Sequence, residues 1–227
     1  MVDFATSRRE LHRVAAHVLA RRRQAVAGRI GLRATPGGIG TPASGDGEVV
    51  RVAGTRLVHE TADGTRVMPV AGASLRELAA FVGEDLDRPI DLGKDTPPVG
   101  APDAPIAVDE GHLAELARWY HEGWRILDTV LGEVGPDAAP SVVQLWPEHF
   151  DAGADVAAGM TRVNVGVSPG DTFLDRPYLY VGPWASGRPG PTGYWNAPFG
   201  AVLAADDIGE DTAAVMFVLE GLSRLRT

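Results

Sequence analysis

The stretch VVRVAGTRLVHETADGTRVMPV, residues 49–70, decides the fold. It reads as three strands, Val49–Ala53, Thr55–Glu60 and Thr65–Val70. Ala53-Gly54 and Asp63-Gly64 fall between them and supply the positive-φ residues that tight hairpins require. Strand follows strand through short turns, with no βαβ alternation, so the segment predicts an antiparallel meander and the chain an α+β fold.

Outward from the meander, helices are expected on both sides. Ser7-Arg8-Arg9-Glu10 has capping-box spacing, and Leu11, Val14, Ala15, Val18, Leu19, Ala25 and Val26 continue it at helical intervals. Arg8, Arg9, Arg13 and Arg21-Arg22-Arg23 form the opposite face, expected to be solvated. Ile30 and Leu32 begin a strand that Thr35-Pro36-Gly37-Gly38-Ile39-Gly40 breaks. A glycine-rich loop cradles phosphate only between a strand and a helix, and no helix follows here. Ser74-Leu75-Arg76-Glu77 is a second capping box, opening a helix that ends near Gly83. Residues 84–105 carry five prolines, several acids and little periodicity, which predicts a surface connection. A long helix from about Asp109 to Leu131 follows, closed by Gly135-Pro136. Val142–Trp146, Arg162–Ser168, Tyr178–Gly182 and Phe199–Ala204 read as further strands, and Asp211–Arg226 as a last helix. The expectation is one α+β domain over 1–227, with two possible lobes, 1–83 and 106–227, joined by the Pro-rich connection 84–105.

Bulk composition narrows the function classes. The absence of cysteine removes disulfides, thiolate metal sites and a cysteine nucleophile together. No apolar run approaches the roughly 18 residues of a membrane span, and arginine and histidine interrupt the N-terminal segment where a signal peptide would be apolar. The expected place is the cytoplasm, with no membrane partner. A net charge of −9 disfavours nucleic acid as a partner of the whole chain, although residues 1–33 hold eight arginines against Asp3 and Glu10.

Nine of the fifteen aromatic residues fall between Ser141 and Leu203, interleaved with polar and turn residues, so this is where a binding site is expected. Strand alternation divides the segment into two faces. Val143, Leu145, Val163, Val165, Val167, Leu179 and Val181 form an aliphatic one that should pack on helices. Gln144, Trp146, Arg162, Asn164, Ser168, Tyr178 and Tyr180 form an amphipathic one, suited either to a pocket in which rings stack on a ligand or to a half-exposed sheet stabilised by ring pairs. Trp184 extends that set, and Trp195 and Asn196 end a Gly/Pro-rich loop that could form its lid or simply be ordered by one buried tryptophan.

Three further patterns bear on chemistry. Gly166-Val167-Ser168-Pro169-Gly170 matches the G-x-S-x-G nucleophile elbow in letters only. An elbow needs a helix after the serine, and Pro169 has no N–H to offer an oxyanion. Glu148-His149-Phe150-Asp151 puts three potential ligands or acid–base groups in four residues, with Asp155, Asp171 and Asp175 in reach of folding. His149 and Asp151 could point the same way if that segment is extended; capping of backbone N–H groups is the bland alternative. His112, Glu115, Trp119 and Glu122 share a helix face without a metal-binding spacing and read as a solvent-facing stripe.

The runs Gly28–Arg33 with Thr35–Gly38, Gln144–Asp151, Ser168–Asp171, Pro177–Trp184 and Trp195–Gly200 resemble a family of uncharacterised proteins from high-GC bacteria. The tryptophan-proline, histidine and serine-proline-glycine-aspartate elements also look similar to a larger domain-of-unknown-function family. The resemblance carries over no assigned activity and leaves the cofactor unknown. From the residues, the leading expectation is binding of a small polar or amphipathic molecule in an aromatic-lined pocket made by Gln144, Trp146, Asn164, Tyr178, Tyr180, Trp184, Trp195 and Asn196. The alternatives are a metal-assisted hydrolase or isomerase using Glu148, His149 and Asp151, with Asp171, and a protein-interaction module.

Overall fold

The computed structural model describes residues 1–93, 95–190 and 193–226. Lys94, the single lysine, and Pro191 and Thr192 of the expected lid loop lie outside the described residues. The fold is α+β, with two antiparallel five-stranded sheets of order β1-β2-β3-β4-β5 and β10-β9-β8-β7-β6.

The chain opens with α1 (Phe4–Val14), a π-helical segment Ala15–Ala20 and α2 (Arg21–Ala27), ending at Gly28 with φ 65°. The expected start at Ser7 is corrected by one turn. Asp3 is the N-cap, its carboxylate accepting from Thr6 N–H at 2.6 Å, while Ser7 is buried and its hydroxyl accepts from Asp109 N–H. The first sheet follows as β1 (Arg33–Thr35), β2 (Gly38–Gly40), β3 (Val49–Ala53), β4 (Arg56–Thr61) and β5 (Gly64–Pro69). Thr35-Pro36-Gly37-Gly38 thus makes a hairpin, with Thr35 opposite Gly38. Gly38 carries no Cβ because the Val52 carbonyl group occupies that space. Ile39, Val52 and Leu57 share one face by register, as do Val50 and His59, and all five are buried.

After the meander comes α3 (Leu75–Phe81), with Ser74 and Glu77 forming the capping box that the spacing predicts. Next is α4 (Glu110–Val134), then β6 (Gln144–Trp146), β7 (Asp151–Ala158), β8 (Thr161–Ser168), β9 (Tyr178–Pro183), β10 (Ala201–Ala204) and α5 (Asp211–Arg224). Trp119 is buried and Ser7 is bonded to His112, so the stripe expected to face solvent along α4 is partly interior.

The chain divides into two compact units, Met1–His121 with Leu145–Phe150, and Glu122–Gln144 with Asp151–Thr227. The division falls inside α4 rather than in 84–105. Residues 84–105 belong to the first unit because the basic helix binds them. Arg13 donates to the Val99 and Ala101 carbonyls, His17 to Pro97 at 2.7 Å, and Arg21 to Asp85 and Arg88 at 3.0 and 2.8 Å. Arg22 pairs with Glu48 and Glu84. The face expected to be solvated is therefore largely covered. An irregular segment cannot satisfy its own carbonyls, so burying it demands donors from elsewhere, and these side chains supply them.

In the second unit the aliphatic face is as the alternation predicts. Val165 lies opposite Val181, Val167 opposite Leu179 and Val156 opposite Val163, all fully buried. The helices α4 and α5 lie against this face. Gly123 leaves room for Val167, whose Cγ2 would stand 2.5 Å from an added Cβ, and Gly221 leaves room for Val181.

Candidate functional site

The other face of β7, β8 and β9 carries the residues that the sequence singles out. Register places Asp155 opposite Asn164, Asn164 opposite Gly182, Gly166 opposite Tyr180 and Ser168 opposite Tyr178. No bulge interrupts this register, so Asn164, Tyr178 and Tyr180 share one face. Gly153 and Gly166 are opposite each other in β7 and β8, and the Tyr180 ring lies down over them. An added Cβ at Gly166 would meet Tyr180 Cζ at 2.5 Å. The Tyr180 hydroxyl donates to the Asp151 carboxylate, and Tyr178 donates to Asp171 Oδ2 at 2.6 Å. Burial first, and then the neighbouring carboxylate, push both phenols up from their ordinary range, so both remain donors at neutral pH.

These partnerships correct the expected roles of several residues. Tyr178 is 3% exposed, with its ring edge-on to Phe173 and tilted against Tyr180, so it is a core residue and not the wall of an open pocket. Asp171 accepts from the Phe173 and Leu174 N–H groups and from Tyr178, an arrangement that fixes a turn. Trp184 is 65% exposed and donates to the exposed Asn164 at 2.8 Å. Asn196 pairs with both the N–H and the carbonyl of Val202, standing in for a strand neighbour, and Trp195 donates to the Pro189 carbonyl. Both side chains thus have their polar atoms taken up by backbone groups. Gln144 is half-buried at the start of β6, and Trp146 belongs to the first unit.

Tyr178 separates the two accounts by measurement. Tyr178→Ala is expected to cost about 3–5 kcal/mol, as for other buried rings, and Tyr178→Phe about 1–2 kcal/mol through the lost bond to Asp171. Urea denaturation reads both; a cost for Tyr178→Ala below about 2 kcal/mol would return this ring to an open pocket.

The 147–151 segment is not extended. Phe150 N–H bonds the Trp146 carbonyl at 2.7 Å, and Phe150 takes a φ of 59°, so the chain turns between His149 and Asp151. His149 is exposed, with its Nε2 4.0 Å from Asp95, and Glu148 packs on Gly93. Among the described residues no three His, Asp or Glu side chains gather to hold a metal ion. The same turn creates a feature that the sequence does not announce. The Phe150 ring stacks on His12 at 4.8 Å, while His12 Nε2 donates to the Pro147 carbonyl at 2.8 Å. Burial is the main reason that the His12 pKa is lowered to about 4.

In the first unit, a cleft of about 280 Å³ lies between the basic helix and residues 86–99. Leu86, Ile90, Leu92 and Val99 give it apolar walls, Asp87, Arg88, Asp91 and Thr96 also line it, and His17 and Arg21 are its buried polar side chains. These two side chains are only 5% and 3% exposed, and their Nδ1 and Nε atoms have no hydrogen-bond partner among the described residues. Because Nε2 donates to Pro97, the ring proton sits there and Nδ1 is left as an acceptor. Burial lowers the His17 pKa, which keeps the ring neutral. Both residues adjoin or lie within the π-helical segment, a deviation that is frequent at functional sites. The sequence places Arg21 on a face expected to be solvated. The available signal was the run of prolines in 84–105, whose carbonyls require outside donors. No protein-family model, curated protein or solved structure matches the chain.

Proposed function

We propose that the chain binds a small polar molecule, and that it does so in the cleft of the first unit. One observation carries this reading: His17 and Arg21, each with a buried nitrogen that has no partner among the described residues, line a cleft whose wall also holds Leu86, Ile90, Leu92 and Val99. A buried polar atom left without a partner costs about 1–3 kcal/mol, and a ligand that reaches it recovers that energy. Apolar walls with a few convergent polar groups are the usual make-up of small-molecule sites. The aromatic face supports binding less well, since the polar tips of Tyr178, Tyr180 and Trp184 already have partners on the protein.

Ile90 tests this, because it is half-buried in the cleft wall and a larger side chain there fills the space. Fragments found by ligand-observed NMR should shift the Leu86 and Leu92 methyl signals, and Ile90→Trp should weaken them at least about tenfold while the protein stays folded. Fragments that bind the plugged variant equally well would refute the proposal.

A second reading, a protein-interaction surface, is favoured by the exposure of Trp184, Phe173 and Phe199. It predicts that Trp184→Ala abolishes capture of a partner protein without altering fragment binding.

A further inference from the structure

We infer that the exposed face of the second unit's sheet holds a separate binding site, a platform at Trp184 for a neutral pyranose ring of a glycan chain. Trp184 follows β9 and keeps its alternation, with its N–H bonded to the Arg162 carbonyl at 2.9 Å. Its side chain stays 65% exposed, although tryptophan has much apolar surface to gain by burial. The ring is nonetheless held in place. Its indole N–H donates to Asn164 Oδ1 at 2.8 Å, and no other ring or cation lies against it among the described residues. An indole N–H only donates, so the Asn164 amide has its oxygen on the tryptophan and its NH2 group directed away. That NH2 group donates to no described residue.

Gly182 supplies the floor. It lies between Tyr180 and Trp184 along the strand and opposite Asn164, so all four belong to one face, with Asp155 beyond Asn164 on β7. Crowding explains the glycine at 166 but not the one at 182. Nothing stands closer than 3.7 Å to a Cβ added there, and its φ is not in the left-handed region. The missing side chain leaves a flat opening beside the indole. The ionic groups around it are engaged within the protein. Arg162 donates to the Asp155 carboxylate and the Ala139 carbonyl, and Arg188 to the Ala185, Gly187 and Phe199 carbonyls. What is left for a ligand is an apolar indole face and an amide donor. A pyranose matches both, since its axial C–H bonds make one side of the ring apolar and its rim of hydroxyls accepts and donates. A purely aliphatic ligand would leave the amide unused, and a simple anion has no face to lay on the ring. An open platform covers only one side of a sugar, so it suits one unit of a chain, bound weakly.

Maltohexaose and cellotetraose, two linkages of the same glucose ring, test the site on the native protein. The readout is the NMR signals of the Trp184 indole N–H and the Asn164 NH2 group. At least one of the two glycans should shift both signals with a Kd in the millimolar range. Hexaethylene glycol, which offers oxygens but no sugar ring, should bind at least about tenfold more weakly. Trp184→Ala removes the platform and Gly182→Val covers the floor, and each should weaken glycan binding at least about tenfold. Neither position is in the buried core, and valine favours strands, so both variants are expected to keep the native fold. The Leu86 and Leu92 methyls of the first unit's cleft should stay still throughout. An absence of shift at Trp184 and Asn164 with both glycans would overturn the inference, as would undiminished binding by the two variants or equal binding of hexaethylene glycol. Shifts at Leu86 and Leu92 instead would place the sugar in the cleft, again overturning the platform while supporting the cleft. If Trp184→Ala abolishes capture of a partner protein and neither glycan moves the two signals, the ring belongs to a protein interface and the glycan site is refuted.

Discussion

Gly166→Ala is expected to cost the second unit at least about 3 kcal/mol, the upper end of the usual range for overpacking. The added methyl would stand 2.5 Å from Tyr180 Cζ and 2.6 Å from the Ala152 carbonyl oxygen. One of these neighbours is a ring anchored through its hydroxyl on Asp151, and the other is the backbone of the adjacent strand. Neither can move without breaking a bond that holds the sheet face together. Gly187→Ala is the control, since nothing lies within 4 Å of its added Cβ, and it should change stability by no more than about 1 kcal/mol. In a Tyr180→Leu background the Gly166→Ala penalty should shrink without vanishing, because the carbonyl remains. Urea unfolding monitored in the second unit reads all of these. Equal midpoints for the two glycine variants would show that the Tyr180 ring does not rest on Gly166.

Acid is expected to weaken the first unit well before its carboxylates titrate. His12 has an ordinary pKa near 6.5 when unfolded and about 4 when folded. As pH falls between those values the unfolded chain takes up a proton that the folded state refuses, so stability falls. The full effect is about 3 kcal/mol, lost between roughly pH 6.5 and pH 4 and constant below that. Burial also lowers the pKa of His17, so it acts with the same sign. Glu48 contributes only lower down. Its pKa is lowered, chiefly by the bond from Arg22, so its share is present above about pH 4.5 and is lost as pH falls further. Replacing His12 by glutamine will cost stability at neutral pH through the lost stacking on Phe150, yet should flatten the curve between about pH 6.5 and 4. A variant whose loss across that interval equals that of the native protein would show that His12 is not the group responsible.

The elements that the sequence predicts correctly are those whose signal is local. The meander is legible because β-branched residues alternate between Gly-containing turns, and the Ser74 capping box is legible because both partners lie within one helical turn. The aliphatic face of β8 and β9 follows from alternation alone. The first helix was misplaced by a turn because Ser7 and Glu10 have capping spacing, while Asp3 performs the capping and Ser7 is drawn inward to Asp109. Nothing in the letters marks Phe150 for a positive φ, since a ring at that angle is held by its surroundings, here His12 and Tyr120. Gly153 and Gly166 were visible within their strands and could have signalled a close approach, as glycine in a strand often does. Of the cleft, only the prolines of 84–105 give a sign in the sequence. Its makers, His17 and Arg21, are recognised by carbonyl groups far along the chain, and a carbonyl leaves no trace in the identity of the residue that bears it.

That last point governs how this protein can change over evolution. Every amino acid carries the same carbonyl, so most substitutions in 84–105 leave its attachment to the helix untouched. Arg13, His17 and Arg21 have no such latitude, for each must reach and donate from a fixed place. The segment is free to drift, taking on new side chains toward the cleft while the helix stays constant. The side chains that line the cleft can therefore diverge through one stretch of sequence without the fold being renegotiated.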